Sequence, residues 1–259
     1  MAMRVIEGRH GRFLCQDNDQ YVGRSLIAYG EYSESELALL AQFLAPGAVV
    51  VEAGANIGAH TVPLARLVGR EGRVYAFEPQ RLIHQMLCGN LALNEIENVY
   101  ALAVAAGDRA GQTRMALTHY GDDANYGGVS LGGEAGEAVA MGTIDALRLD
   151  RLDLLKADVE GAEALLLKGA EATIARCRPV LYLENDRRES SPAVLGLVRD
   201  HGYEAWWHVP HLFEPGNHLR NPNNIFGGIV SINILCQHAS RARPLSGLRK
   251  VETPDEWPL

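Results

Sequence analysis

From about residue 47 onward, short apolar runs alternate with stretches of helical periodicity. Val49–Val51 is a continuous β-branched run, as expected of a strand buried on both faces. Gly58–Val68 reads as a helix, Val74–Phe77 as a strand, Arg81–Leu93 as a helix and Val99–Val104 as a third strand. Leu152–Ala157 and Pro179–Leu183 read as two more strands, separated by a helix over roughly Ala162–Arg176. A helix near Pro192–His201 precedes the apolar runs Tyr203–Trp207 and Gly228–Cys236. Alternation of this kind predicts a doubly wound α/β domain, a parallel sheet with right-handed crossovers. Only a loop separates the last two runs, which predicts an antiparallel edge pair.

Three stretches break the rhythm. Residues 1–46 contain a helix predicted from Ser33, where Ser33 and Glu36 have capping-box spacing ahead of Leu37–Leu44. Residues 119–136 are Gly-rich, and residues 208–227 hold three His, four Asn and three Pro without periodicity. Loops beyond roughly 12–15 residues are usually functional or disordered, so both are expected to be mobile lids over a site. The expected organisation is an N-terminal extension with a cap helix (1–46), a main domain (47–240) and a C-terminal tail (241–259).

Composition narrows the partners. The chain of 259 residues is 47% hydrophobic and 22% charged, ordinary for a globular protein. Its net charge of −8 argues against nucleic acid or an anionic membrane, which need clustered Lys and Arg. The four cysteines are far apart, without metal-ligand spacing, and read as thiols in a reducing compartment. Met1–Arg12 has no apolar core of signal-peptide length, and no uncharged apolar run approaches the roughly 18 residues of a membrane helix. A cytoplasmic location is therefore expected, with a small-molecule or peptide acceptor as partner and a homo-oligomer left open.

The segment Val51-Glu52-Ala53-Gly54-Ala55-Asn56-Ile57-Gly58 follows a strand and opens a helix. Its glycines allow a sharp turn and close approach to a ligand, in the crevice where open α/β sheets bind ligands. A dinucleotide fingerprint would need Gly-x-Gly-x-x-Gly to seat a pyrophosphate on the helix start. This turn lacks that spacing, and Glu52 would repel a pyrophosphate. S-adenosylmethionine carries no phosphate but has an ammonium and a sulfonium, so a carboxylate is tolerated there. Glu78, at the end of the second strand, suits two ribose hydroxyls; the plainer alternative for Glu52 and Glu78 is solvated strand-end carboxylates.

Glu52-x-Gly54-Ala55-Asn56-Ile57-Gly58, Phe77-Glu78-Pro79, Thr143-Ile144-Asp145-Ala146-Leu147 and Leu155-Lys156-Ala157-Asp158-Val159-Glu160-Gly161-Ala162-Glu163 together resemble the FkbM family of methyltransferases. The similarity runs from about residue 30 to 236. It implies a Rossmann-like class I methyltransferase fold with a seven-stranded, mostly parallel sheet, and S-adenosylmethionine as methyl donor. It also implies a hydroxyl acceptor on a sugar or other natural product, with side-chain amides of peptides as the alternative and a non-catalytic S-adenosyl-ligand binding module as a third reading. Glu52 and His60 depart from the residues commoner in the family. The cofactor set is read as Glu52, Gly54, Ala55, Asn56, Gly58, Glu78, Pro79, Ala103 and Asp158.

On the acceptor side, Asp158, Glu184 and Asn185 stand at neighbouring strand ends and make an oxygen-rich set suited to Mg²⁺ or Ca²⁺. The arrangement is similar to the metal site of catechol-type O-methyltransferases; the alternative is a metal-free polar site in which Asp158 and Glu160 cap the next helix. Asp158, Glu160 and His208 are the candidate catalytic residues, the last two as general bases. His60 is a further candidate, and Trp206, Trp207 and Phe213 are candidates for lining the acceptor pocket.

Overall fold

The computed structural model describes residues 2–116, 120–130, 132, 136–243 and 245–259. A hairpin, β1 (Met3–Gly8) and β2 (Gly11–Gln16), precedes α1 (Val22–Tyr29) and α2 (Glu34–Ala41). The alternating core follows: β3 (Val49–Ala53), α3 (Thr61–Val68), β4 (Arg73–Phe77), α4 (Arg81–Leu93), β5 (Val99–Leu102). Then come β6 (Val104–Ala106), β7 (Gly111–Met115), β8 (Glu137–Gly142), β9 (Leu154–Ala157), α5 (Glu163–Lys168), α6 (Glu171–Cys177) and β10 (Val180–Glu184). The chain closes with α7 (Ser191–Asp200), β11 (Tyr203–His208), β12 (Asn233–His238) and β13 (Arg249–Lys250).

The main sheet runs β13-β11-β12-β10-β9-β3-β4-β5. Strands β5, β4, β3, β9 and β10 are parallel, while β12 inserts antiparallel between β10 and β11. The expected seven-stranded sheet is present, and two residues of the C-terminal tail, Arg249 and Lys250, add an eighth, edge strand. The strand order reverses between β3 and β9, which puts a crevice beyond their carboxyl ends. Val50, Val51 and Leu154–Ala157 are almost wholly buried, which explains their lack of polar alternation.

Several sequence expectations are corrected. The stretch Val99–Val104 divides at Ala103, because β6 leaves the main sheet to join β8 and β7 in a separate three-stranded sheet. The helix over Ala162–Arg176 breaks at Gly169, where a Cβ would lie 1.9 Å from the Gly107 carbonyl. Asp145 then accepts from the N–H groups of Ala172 and Thr173 and caps α6. Ser33 does not form a capping box: it adopts φ 47°, and its hydroxyl donates to the Glu36 carboxylate at 2.7 Å instead of capping the backbone.

The N-terminal elements are packed on the main domain. Asn90 of α4 pairs with both backbone groups of Leu14 and with the Ile57 carbonyl. Phe13, Leu26, Ala55, Ile57 and Leu87 thereby share one core. No described helix is long and apolar enough to cross a membrane.

Candidate active site

The crevice is built by close backbone approach. Asp158 N–H donates to the Ala53 carbonyl at 3.0 Å, tying the ends of β9 and β3 together. Gly54 sits at φ 80°, and a Cβ there would lie 1.8 Å from the Asp158 carbonyl oxygen. The turn requires glycine on both counts. Asn56 holds the left-handed conformation at φ 50°, and its N–H donates to Glu78 Oε2 at 3.0 Å. Gln80 N–H donates to Glu78 Oε1 at 2.8 Å.

Glu78, only 4% exposed, is therefore not a solvated strand-end carboxylate. Each oxygen already receives one backbone N–H, which fixes its aim and leaves lone pairs for a ligand. Burial pushes its carboxyl up to about 7, against the two N–H bonds.

Gly54, Ala55, Asn56, Glu52 and Glu78 line a cavity of about 310 Å³, and Pro79 lines an adjoining cleft. Two expected cofactor positions stand elsewhere. Gly58 (φ 89°) packs against Leu87 under the turn. Ala103 is exposed where the chain passes between the sheets; Ala105 and Ala106, two and three residues on, face the cleft instead.

Lys156, 2% exposed on β9, reaches into the cavity with Nζ 4.0 Å from Glu52 and 3.7 Å from Asp158. Burial works against its charge, but the two carboxylates outweigh it and raise its pKa. Glu52, also bonded to the Thr61 hydroxyl at 2.7 Å, is pushed up to about 7 by burial, with Lys156 opposing. The ammonium of Lys156 is thus the internal counter-ion of the crevice, a role the strand pattern did not reveal.

At the acceptor end, carboxylate oxygens of Asp158, Glu160 and Glu184 all lie within 4.8 Å of one another. Asn185, expected among the metal ligands, is not part of this group: its amide donates to the Ser191 hydroxyl at the start of α7. Glu160 takes the third place because it adopts φ 56° ahead of Gly161 at φ 94°, a turn that swings its side chain back toward the crevice. Burial and the neighbouring Asp158 push Glu160 up to about 7 and Glu184 well above the usual carboxylate range. Arg187 clamps this end, bonded to Glu160 at 2.9 Å and to the Ser130 hydroxyl at 3.1 Å.

Ser130 belongs to the Gly-rich segment expected to be mobile. Residues 119, 131 and 133–135 of that segment lie outside the described residues. Its described part is anchored: Asn18 donates to the carbonyls of Tyr120 and Asp122 and to the Tyr126 hydroxyl, and Tyr126 is buried. The second expected lid is also packed, with Leu212 and Phe226 in a cluster with Tyr29.

Of the histidines, His60 and not His208 faces the cavity. His208 shares a 2.8 Å hydrogen bond between Nδ1 and the Tyr182 hydroxyl and lies outside the lining. His60 is 6% exposed, with Nε2 unpartnered. Burial first, then Lys156, lowers its pKa to about 3, so the ring is neutral. The expected aromatic lining is also corrected: Trp207 packs on Trp257, Trp206 lies under Lys250, and Phe213 meets Tyr29. Leu212, Ile229, Val230 and Ile232 supply the apolar wall in their place.

Lys156 and Arg187 are the residues that sequence reasoning missed. A lysine inside a strand buried on both faces was a legible signal, since an unpaired buried ammonium is rare. Arg187 carried no such mark, because an arginine in a loop is ordinary.

Residues 52–205 match the model of the methyltransferase FkbM domain. The chain is 26% identical over 236 residues to AMB antimetabolite synthetase AmbE of Pseudomonas aeruginosa, a match covering 72% of this chain and 11% of that protein. It is 29% identical over 195 residues to methyltransferase sdnD of Sordaria araneosa, covering 60% and 73% of the two chains. The crystal structure of methyltransferase FkbM from Methylobacillus flagellatus KT aligns with a TM-score of 0.49 at 17% identity, over 83% of this chain and 59% of that one.

Proposed function

The chain belongs to the FkbM family of S-adenosylmethionine-dependent methyltransferases, and we propose that it methylates a hydroxyl of a small natural product. The observation that carries the choice of a hydroxyl is His60. The ring's other nitrogen bonds the Ser33 backbone, which leaves Nε2 as a buried lone pair without a partner on the cavity wall, so it can take a hydrogen bond, and then the proton, from an acceptor O–H. Because the ring is neutral, this lone pair is available throughout the physiological pH range. A weak base suffices for a proton that leaves as the C–O bond forms, since a protonated ether is a strong acid. In-line transfer asks little more of the protein than proximity and orientation.

The residues fit the methyl donor. Glu78 would take the two ribose hydroxyls, and the unpartnered Gln80 Oε1, in the adjoining cleft with Pro79, Ala105 and Met115, suits the adenine amine. The donor would supply an electrophilic methyl on its sulfonium. Asp158 stands between Lys156, 3.7 Å away, and the acceptor end. Asn125 and Gly127 of the Gly-rich segment and the apolar wall line the rest, which supports a small acceptor over an extended peptide. Biosynthesis of a secondary metabolite accords with the antimetabolite synthetase among the relatives.

The reading is tested by incubating the enzyme with labelled methyl donor and matched hydroxyl, amide and O-blocked compounds. Label should pass to the hydroxyl compounds alone, and His60→Gln should lower kcat at least tenfold with little change in cofactor affinity. Transfer to amides but not hydroxyls would reject it.

A further inference from the structure

We propose that the acceptor carries a protonated amine, seated among Asp158, Glu160 and Glu184. This rests on the reading of the cavity as the methyl-transfer site and adds the chemical class of what enters it.

The first support is hydrogen-bonding capacity. Glu184 Oε2 is wholly enclosed and has no partner. His60, 94% withdrawn from solvent by its 6% exposure, leaves Nε2 unpartnered on the same wall. Among the described residues, the unpartnered buried side-chain atoms lining the cavity and the adjoining cleft, with Gln80 Oε1, can each accept a hydrogen bond. The complementary ligand is therefore rich in donors. A buried acceptor left unmet is costly, so the missing donors belong to what binds.

The second is charge. Glu52, Glu78, Asp158, Glu160, Glu184 and Asp186 line the cavity, and Lys156 is the lysine among them. That ammonium is held between Glu52 and Asp158. Glu78 is met by backbone N–H groups, and Arg187 serves Glu160 and approaches Asp186 at 3.8 Å. Among the described residues, no cation pairs with Glu184. An ammonium donating to three carboxylates at roughly 2.8 Å holds their oxygens about 4.6 Å apart. The oxygens here lie within 4.8 Å of one another, a bound that admits this arrangement.

The third observation separates an ammonium from a divalent ion. The Arg187 guanidinium sits 2.9 Å from Glu160 Oε2 and would face a doubly charged ion at short range. A single positive charge with three N–H donors meets less repulsion and uses the directional lone pairs. Leu212, Ile229, Val230 and Ile232 line the same cavity, so the part of the acceptor beyond the amine is uncharged and largely apolar.

The test is calorimetry on the enzyme saturated with S-adenosylhomocysteine, using n-hexylammonium, n-hexanol and hexanoate as probes. Hexylammonium should bind at millimolar concentration or below and at least tenfold tighter than hexanol, and hexanoate should not bind. Glu184→Gln and Glu160→Gln, each checked for retained S-adenosylhomocysteine binding, should erase the preference for the amine. Equal binding of hexanol, no binding of hexylammonium, or an unchanged preference in both variants would overturn the proposal. So would Mg²⁺ binding that requires the same carboxylates and that hexylammonium does not displace. Failure of the wild-type enzyme to bind S-adenosylhomocysteine would instead remove the methyltransferase reading, and this inference with it.

Discussion

Glu78 offers the sharpest test of the cofactor site, because its geometry separates three effects of one substitution. Its carboxylate holds Asn56 N–H at 3.0 Å and Gln80 N–H at 2.8 Å, and the ribose hydroxyls would take the remaining lone pairs. Glu78→Ala removes two charge-assisted bonds to the ribose, each worth roughly 1.5–3 kcal/mol. Affinity for S-adenosylhomocysteine should then fall about a hundredfold or more, at about 1.4 kcal/mol per decade. The same change leaves two backbone N–H groups without an acceptor, at a cost of about 1–3 kcal/mol each, less whatever water entering the space restores.

Glu78→Gln keeps the shape and loses the charge. The amide keeps one acceptor oxygen, so one ribose bond should be lost and the other should drop by about 1 kcal/mol toward a neutral one, a total near a hundredfold in affinity. The pH dependence is the second signature. Burial raises this carboxyl from 4.5 to about 7 in the folded protein. In the ligand-free protein, the stability associated with this group is therefore full below pH 4.5 and is lost as pH rises through 7. Cofactor affinity runs the other way: it should be highest above pH 7 and weaken as pH falls through it, because protonation removes an acceptor. Calorimetry at pH 6, 7 and 8, with denaturant melts of the same samples, reads both. Since burial also raises Glu52 and Glu160 to about 7, the Glu78→Gln variant is the control and should flatten most of the pH trend. A well-folded Glu78→Ala protein with wild-type affinity would refute the ribose assignment.

Lys156→Met should destabilise the protein by about 3 kcal/mol at pH 8, since it strands the buried Glu52 carboxylate. The loss should shrink at pH 5, where Glu52 takes up a proton; urea melts showing equal losses at both pH values would contradict the pairing. Gly54→Ala should cost at least about 3 kcal/mol from its left-handed φ and the clash with the Asp158 carbonyl. A thermal melt matching the wild type would show that the β3–β9 approach is looser than described. Arg187→Ala releases both Ser130 and Glu160. It should raise KM for the acceptor severalfold and leave S-adenosylhomocysteine affinity within about twofold; the reverse pattern would place Arg187 on the cofactor.

Much of the fold was legible because the decisive information is local. The apolar run Val49–Val51, the helix Arg81–Leu93 and the alternation around them report burial and period, and the structure places β3, α4 and the parallel core accordingly. The Gly54 turn was legible for the same reason: the short-range backbone requirement is written in one residue. The pairs β1–β2 and β7–β8 escaped notice, since their strands mix polar with apolar residues and bury only part of their length.

The site depended on long-range placement. Asp158 and Glu184 were legible as strand-end carboxylates, but the side chain that joins them was decided by the left-handed backbone at Glu160, which turned Asn185's expected place over to its neighbour across the crevice. Likewise His60 and His208 carry the same ring and cannot be ranked by type or spacing. Packing ranked them: Tyr182 occupies His208, whereas the start of α3 buries His60 with a free lone pair on the cavity wall. Residue identity and period determined which strands, helices and tight turns the chain makes. The partners of each buried charge and lone pair were decided only when residues such as Ser130, Glu160 and Arg187, distant along the chain, were brought within hydrogen-bonding reach.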